Sequence, residues 1–279
     1  MITNNTIRKM MLLLSTKEEA RLSEIEQQIT KQYKLALNDI DAELSVIYAN
    51  YGQEIAEKKF VVGRLKNIQN QIRESIIKLY LKDAELIKSN LKDTYMENIN
   101  LVGDIFGIDI LSGKFNEADL LNAIKSDYNK IVFNKSETQA EIGDRIAKVR
   151  TAVSQGIVKG KSYFDTSRQL NKAYEFGLNR SLTIVRTETH RIQNQSKVDA
   201  NAKVKQVMSA GGFGLKKKWI HGKGIAHPRE DHVAMNGEYA DDKGIFTLPD
   251  GTKTEAPGLT GKAKHDINCG CTFIYELTK

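Results

Sequence analysis

His232, His265, Cys269 and Cys271 have the widest chemical scope in this chain, because together they offer imidazole nitrogens and thiol sulfurs, the donors that tetrahedral zinc takes. The chain has 2 cysteines, Cys269 and Cys271, with Gly270 between them. Side chains two apart on an extended chain share a face, so the pair can chelate a metal together or simply pack together. Cys-x-Cys is a less usual ligand spacing than Cys-x-x-Cys, and a packing or polar-network role is the plainer expectation. Zinc through these four residues stays a candidate, and no cofactor is assigned. A disulfide framework is not expected. Cys269 acting as a nucleophile with His232 as its base would suit a peptidase or transferase, but no orienting motif or oxyanion loop accompanies the pair.

Other polar residues add weaker signals. His232 with Asn236 lacks the second metal-binding histidine of an HNH-type nuclease. Arg186 and Glu188 stand two apart on a predicted helix and do not face each other, so their partners lie elsewhere. Pairing Arg186 with Asp231 and Glu188 with Arg229 would pin a loop against that helix as a buried network. An ADP-ribosyltransferase would use an Arg and a distant Glu to hold a nicotinamide cofactor, but there is no Ser-Thr-Ser strand, and no predicted loop carries a Glu-x-Glu. No catalytic residue is assigned. Lys216, Lys217 and Lys218 beside Trp219, with Lys203 and Lys205 before them, are candidates for contacting DNA phosphates. The alternative is a solvated strand edge guarded by lysines. The charge distribution fits a polyanion partner: of the net +7, residues 180–279 contribute 16 basic against 11 acidic side chains.

These residues need elements to hold them. The chain has 279 residues, 40% of them hydrophobic, which is enough for two domains or for one domain with an extended helical part. Met10–Leu14 is too short for the apolar core of a signal peptide, and nothing later approaches the roughly 20 residues that span a bilayer, so no membrane association is expected. All 3 prolines, Pro228, Pro249 and Pro257, fall late, leaving everything before open to long helices. From Leu22 the apolar or small positions run Ile25, Ile29, Tyr33, Ala36, Ile40, Leu44, Ile47, Tyr51 and Ile55. This is an eleven-residue repeat that favours a nearly straight helix pairing. The stripe resumes at Val61, Leu65, Ile68, Ile72, Ile76 and Leu79. Two long helices are predicted, as a hairpin or a bent rod around residues 52–63. Their stripe needs a cover, either the chain itself, a second copy or another protein.

Gly103, Gly107 and Gly113 predict a connector, Asn116 a cap for a helix over 117–124, and Ser136 with Gln139 a capping box for a helix running to about Gln155, where Gly156 and Gly160 end it. A further helix is predicted over 163–176, and a long one from Asn179 to Ala210. Short strands follow at 215–221, 244–248 and 271–277. The predicted fold is mainly α with a small C-terminal α+β domain. Long N-terminal helices (1–100) lead to a helical neck (101–178), and a few-stranded antiparallel sheet covered by a helix completes the chain (179–279).

The order of pieces in the last third is more specific than any one of them. Arg186-Thr187-Glu188, then Trp219, then Arg229 with His232 and Gly237, then Phe246 with Pro249, and finally Asn268-Cys269 with Cys271 resemble the C-terminal domain of the phage head-morphogenesis (Mu F-like) minor head proteins. Gly270 departs from the arginine usual there. The resemblance covers about residues 115–275. It implies a structural, non-enzymatic component of a tailed-phage or prophage virion, sited in the head interior or at the portal vertex after assembly in the host cytoplasm. Portal and capsid proteins would be its partners, with double-stranded DNA a further candidate. It also implies a structural role for Arg186, Glu188, Trp219, Arg229, His232, Asn268, Cys269 and Cys271. The competing expectation is a prophage-encoded effector or toxin-like enzyme using the His232/Cys269 region.

Overall fold

The computed structural model describes residues 3–56, 62–110, 117–126, 129, 135–222 and 227–278. Helix α1 spans Asn4–Ala56 and α2 spans Val62–Phe106; α3 (Glu117–Ile124), α4 (Lys135–Val158) and α5 (Tyr163–Ala210) follow. Then come β1 (Gly214–Ile220), α6 (Glu230–Ala234), β2 (Phe246–Thr247), β3 (Lys253–Thr254), α7 (Ala263–Asp266) and β4 (Thr272–Thr278). The fold is mainly helical with a small antiparallel strand region near the C-terminus, as expected. Contacts group the residues into two compact units that interleave along the chain. One comprises 1–23, 89–128 and 183–279, and the other 24–88 and 129–182.

In the second unit, the eleven-residue stripe is internal core. Ile25, Ile29, Tyr33, Ile40, Leu44 and Ile55 of α1 are buried, as are Ile68, Ile72, Ile76 and Leu79 of α2 and Val149, Val153, Ile157, Leu170 and Tyr174 of α4 and α5. Neighbouring helices of the same chain therefore cover these positions, so no second copy or other protein is needed to bury them. Val61 lies outside the described residues. A buried polar cluster sits among these side chains. Arg145 Nη1 donates to Tyr33 Oη, and Ser181 Oγ donates to Asp83 Oδ2 at 2.7 Å. Burial pushes the Asp83 carboxyl up to about 6.

Several predicted helix ends are not ends. α4 runs through Gly156 to Val158, because Gly156 is a packing position. A Cβ there would lie 2.2 Å from Thr166 Oγ1. Ser136 lies inside α4 and so cannot be its N-cap. The helices predicted over 163–176 and 179–210 are one element, α5, running through Gly177 where the Tyr33 ring would stand 3.1 Å from a Cβ. α2 likewise passes through Gly103 and stops at Phe106. The Gly113 turn and the Asn116 cap lie outside the described residues.

In the first unit, apolar residues of α1 (Ile7, Met11), α2 (Val102, Ile105, Phe106) and α5 (Ala200, Val204) share a core with Trp219, Phe246, Leu248, Phe273, Ile274 and Tyr275. β1 pairs antiparallel with β4, placing Trp219 opposite Phe273 and Lys217 opposite Tyr275. β2 and β3 form a separate two-stranded ladder. The predicted strand 244–248 shrinks to Phe246–Thr247, and its partner Lys253–Thr254 had no alternating pattern to announce it.

Candidate functional site

Four of the signature residues, Trp219, His232, Cys269 and Cys271, converge on a buried centre against β1. α6 is a single short helix that begins after Arg229, and it carries His232 into the interior, where only 2% of the residue is exposed. Its ring meets the edge of Trp219, with centroids 5.7 Å apart at 78°. After α7 the chain turns at Asn268, which has φ 54 and whose N–H donates to Thr187 Oγ1 at 3.0 Å. Few non-glycine residues adopt this left-handed conformation, and asparagine is among the most tolerant of it. The turn delivers Cys269 and Cys271 to the same side, both buried, with Sγ atoms 3.6 and 3.7 Å from His232 Nδ1. Among the described residues these three form one cluster with metal-ligand spacing.

His265 does not join the sulfurs. Its ring lies nearly parallel to that of His232 and edge to edge with it, with centroids 5.5 Å apart at 17° and its Nδ1 3.3 Å from His232 Nε2. Its other nitrogen meets Asp250 Oδ2 at 3.0 Å, and Asp231 Oδ2 lies 3.2 Å from Nδ1. Asp250 is held well below the usual carboxylate range, first by the Lys264 ammonium at 2.6 Å and then by hydrogen bonds from Thr252. A hydrogen bond from Cys269 lowers Cys271, and the same bond together with burial raises Cys269.

The expected pairings take a different form. Glu188, fully buried, accepts from Arg191 Nε at 2.9 Å and from Ser126 Oγ at 2.9 Å, while Arg191 Nη2 donates to the Ile124 carbonyl at the end of α3. Arg229 Nη2 donates to the Ile267 carbonyl at 2.6 Å, so it is not the partner of Glu188, and Asp231 sits on His265 rather than on Arg186. The reason is spacing: Glu188 and Arg191 are neighbours one turn apart on α5, whereas Arg229 donates to the Ile267 carbonyl just before the Asn268 turn. Residues to which the sequence assigned no role carry much of the load. Asn194 Nδ2 donates to the carbonyls of Pro257 and Cys271 at 3.0 Å each, and Lys197 Nζ donates to Thr272 Oγ1 at 2.8 Å. Thr187, Asn194 and Lys197 recur at helical spacing on one face of α5, a signal present in the sequence.

The lysine run divides by strand alternation. Lys217 shares the inward face with Trp219, is 5% exposed, and donates to the Glu255 carbonyl at 2.5 Å. Its ammonium stands over the Phe246 and Phe273 rings at 5.8 and 5.4 Å. Burial pushes it down to about 8. Lys218 is committed to Glu276 and Tyr239. Of the three only Lys216 is fully exposed, while Lys203 and Lys205 are half-buried on α5. Nor is β1 a bare edge guarded by lysines. β4 covers one side, and on the other Trp219 N–H and the Gly237 and Ala240 N–H groups make backbone bonds between β1 and residues 237–240.

Residues 147–274 match the family described as Phage Mu protein F like protein. The chain is 22% identical over 265 residues to the minor head protein GP7 of Bacillus phage SPP1, covering 92% of this chain and 83% of that one. It is 26% identical over 270 residues to the NAD(+)--arginine ADP-ribosyltransferase EFV of Enterococcus faecalis, covering 94% of this chain but 53% of that protein. The chain thus spans about half the length of that transferase. No solved structure matches the chain. No helix among the described residues is long and apolar enough to cross a membrane. Residues 147–274 are thus similar to the Phage Mu protein F like family, within the stretch where the sequence itself carries that resemblance.

Proposed function

We propose that the protein is a minor head component of a tailed phage or prophage that joins the particle near the portal vertex and acts in head assembly or genome delivery. The observation that carries this reading is the match to the SPP1 minor head protein, which extends over 92% of this chain and 83% of that protein. The burial of the signature side chains agrees with it. Trp219, Glu188, Cys269, Cys271 and His232 are all 2% exposed or less, an arrangement that holds the C-terminal fold together rather than facing a substrate. Portal and capsid proteins are the partners in this reading. DNA contact would fall to Lys203, Lys205 and Lys216, the cations of the original set not consumed by internal pairing. Co-expression with the portal, scaffold and capsid proteins of the same phage tests the proposal. Purified heads should contain this protein in a few copies, and heads that form normally yet never incorporate it would overturn the reading.

A second reading rests on one observation, the match to a protein named as an arginine-specific ADP-ribosyltransferase. The chain spans about half of that transferase, and its Glu188 is spent on Arg191 and Ser126. Incubation of the full chain with NAD and a guanidino acceptor separates the readings. Transfer of ADP-ribose would favour the enzyme, and unchanged NAD the head component.

A further inference from the structure

The geometry points to a zinc-class metal site that nothing above assigns: His232 Nδ1, Cys269 Sγ and Cys271 Sγ ligate one borderline-soft divalent ion, with a water molecule in the fourth position. The separations carry it. With Zn–S near 2.3 Å and Zn–N near 2.0–2.1 Å, the N···S edge of a coordination tetrahedron is about 3.5–3.6 Å. The observed N···S distances are 3.6 and 3.7 Å. Those contacts are long and weak as hydrogen bonds, but they are of the right length for two atoms sharing an ion. Sulfur donors with an imidazole select zinc over calcium or magnesium, which take oxygen. All three donors are buried.

The surroundings of His232 have the form expected around a metal-bound imidazole. Such rings are oriented by a partner on the far nitrogen, commonly one ending in a carboxylate. Here His232 Nε2 meets His265 Nδ1 at 3.3 Å, and His265 Nε2 meets Asp250 Oδ2 at 3.0 Å and Thr252 Oγ1 at 3.5 Å. The alternative cluster of Asp231, His232 and His265 is less suited, because its 3.2 and 3.3 Å separations are already hydrogen-bond contacts within that chain. The ion would fasten the Asn268–Cys271 turn, immediately before β4, to α6. Its binding would release protons from the thiols.

The test uses the full chain, made metal-free under reducing conditions and titrated with cobalt(II), then with zinc. Cobalt should saturate at about one equivalent with a thiolate-to-metal charge-transfer band, and zinc should displace it with a rise in melting temperature. Cys269→Ser and Cys271→Ser should each weaken that band. His265→Gln should retain the stoichiometry and lower affinity about 10- to 100-fold, the effect of losing an orienting partner. Folded wild-type protein that takes up neither metal, or uptake with an unchanged spectrum in the double serine variant, overturns the proposal. If the serine variants do not fold, the wild-type spectrum decides, since the charge-transfer band itself reports sulfur ligation.

Discussion

Replacing Lys217 with methionine should stabilise the first unit at neutral pH, and the gain should disappear in alkali. Burial depresses the Lys217 ammonium from 10.5 to about 8. At about 1.4 kcal/mol per pKa unit, holding that ammonium in the folded protein costs about 3 kcal/mol. Below pH 8 the folded and unfolded chains are both protonated and the whole cost is present. Between about 8 and 10.5 the folded protein loses the proton while the unfolded chain keeps it, so wild-type stability rises with pH through that window. Methionine fills the same space between Phe246 and Phe273 with no charge to desolvate, but it leaves the Glu255 carbonyl without its donor, a loss of about 1–2 kcal/mol. The net gain at pH 7 is about 1–2 kcal/mol, and the difference between variant and wild type should fall by about 3 kcal/mol by pH 10.5. The charged neighbours, Glu255, Asp241 and Lys205, are the same in both proteins. Urea unfolding followed by fluorescence reads the right unit, because the chain's single tryptophan is the buried Trp219. A variant less stable than wild type at pH 7, or a difference that does not change with pH, would refute the burial assigned to Lys217.

Further outcomes follow from the packing. Gly156→Ala should lower the melting temperature. The clash with Thr166 costs about 1–3 kcal/mol and outweighs the up to about 1 kcal/mol that alanine adds to a helix; an unchanged or raised melting temperature would show that Thr166 gives way. Ile40→Asp should cost the isolated chain helicity by circular dichroism, since it buries a charge in the second unit; an unaltered melt would restore the stripe as a docking surface. In anisotropy titrations against duplex DNA, replacing Lys203, Lys205 or Lys216 with Gln should reduce the salt slope by up to about 0.9 each, whereas Lys217→Met should leave it unchanged. Equal effects at Lys216 and Lys217 would contradict the alternation along β1.

Much of this architecture was legible because it follows from local periodicity. The apolar stripe from Leu22 to Ile55 specifies helix and inward face together, and all of its residues except the half-buried Ala36, Ile47 and Tyr51 are buried in the structure. The strand alternation that buries Lys217 with Trp219 was also present in the sequence, although the lysine run reads first as a cationic patch. Glycines misled for a physical reason. Gly156 and Gly177 look like breaks to a reader of propensities, yet each is small because Thr166 or Tyr33 packs against it, and only the neighbouring helix reveals that. Side-chain pairing was equally out of reach. Spacing shows that His232, His265, Cys269 and Cys271 are available as donors, but a tight turn at Asn268 decides that Cys269 and Cys271 face His232 Nδ1 while His265 stands behind its other nitrogen. The order of residues along the chain determined the family resemblance, the helices and the list of reactive groups. Which of those groups meet is a matter of contacts between residues far apart in sequence, and no local pattern encodes those, so tertiary packing alone decided them.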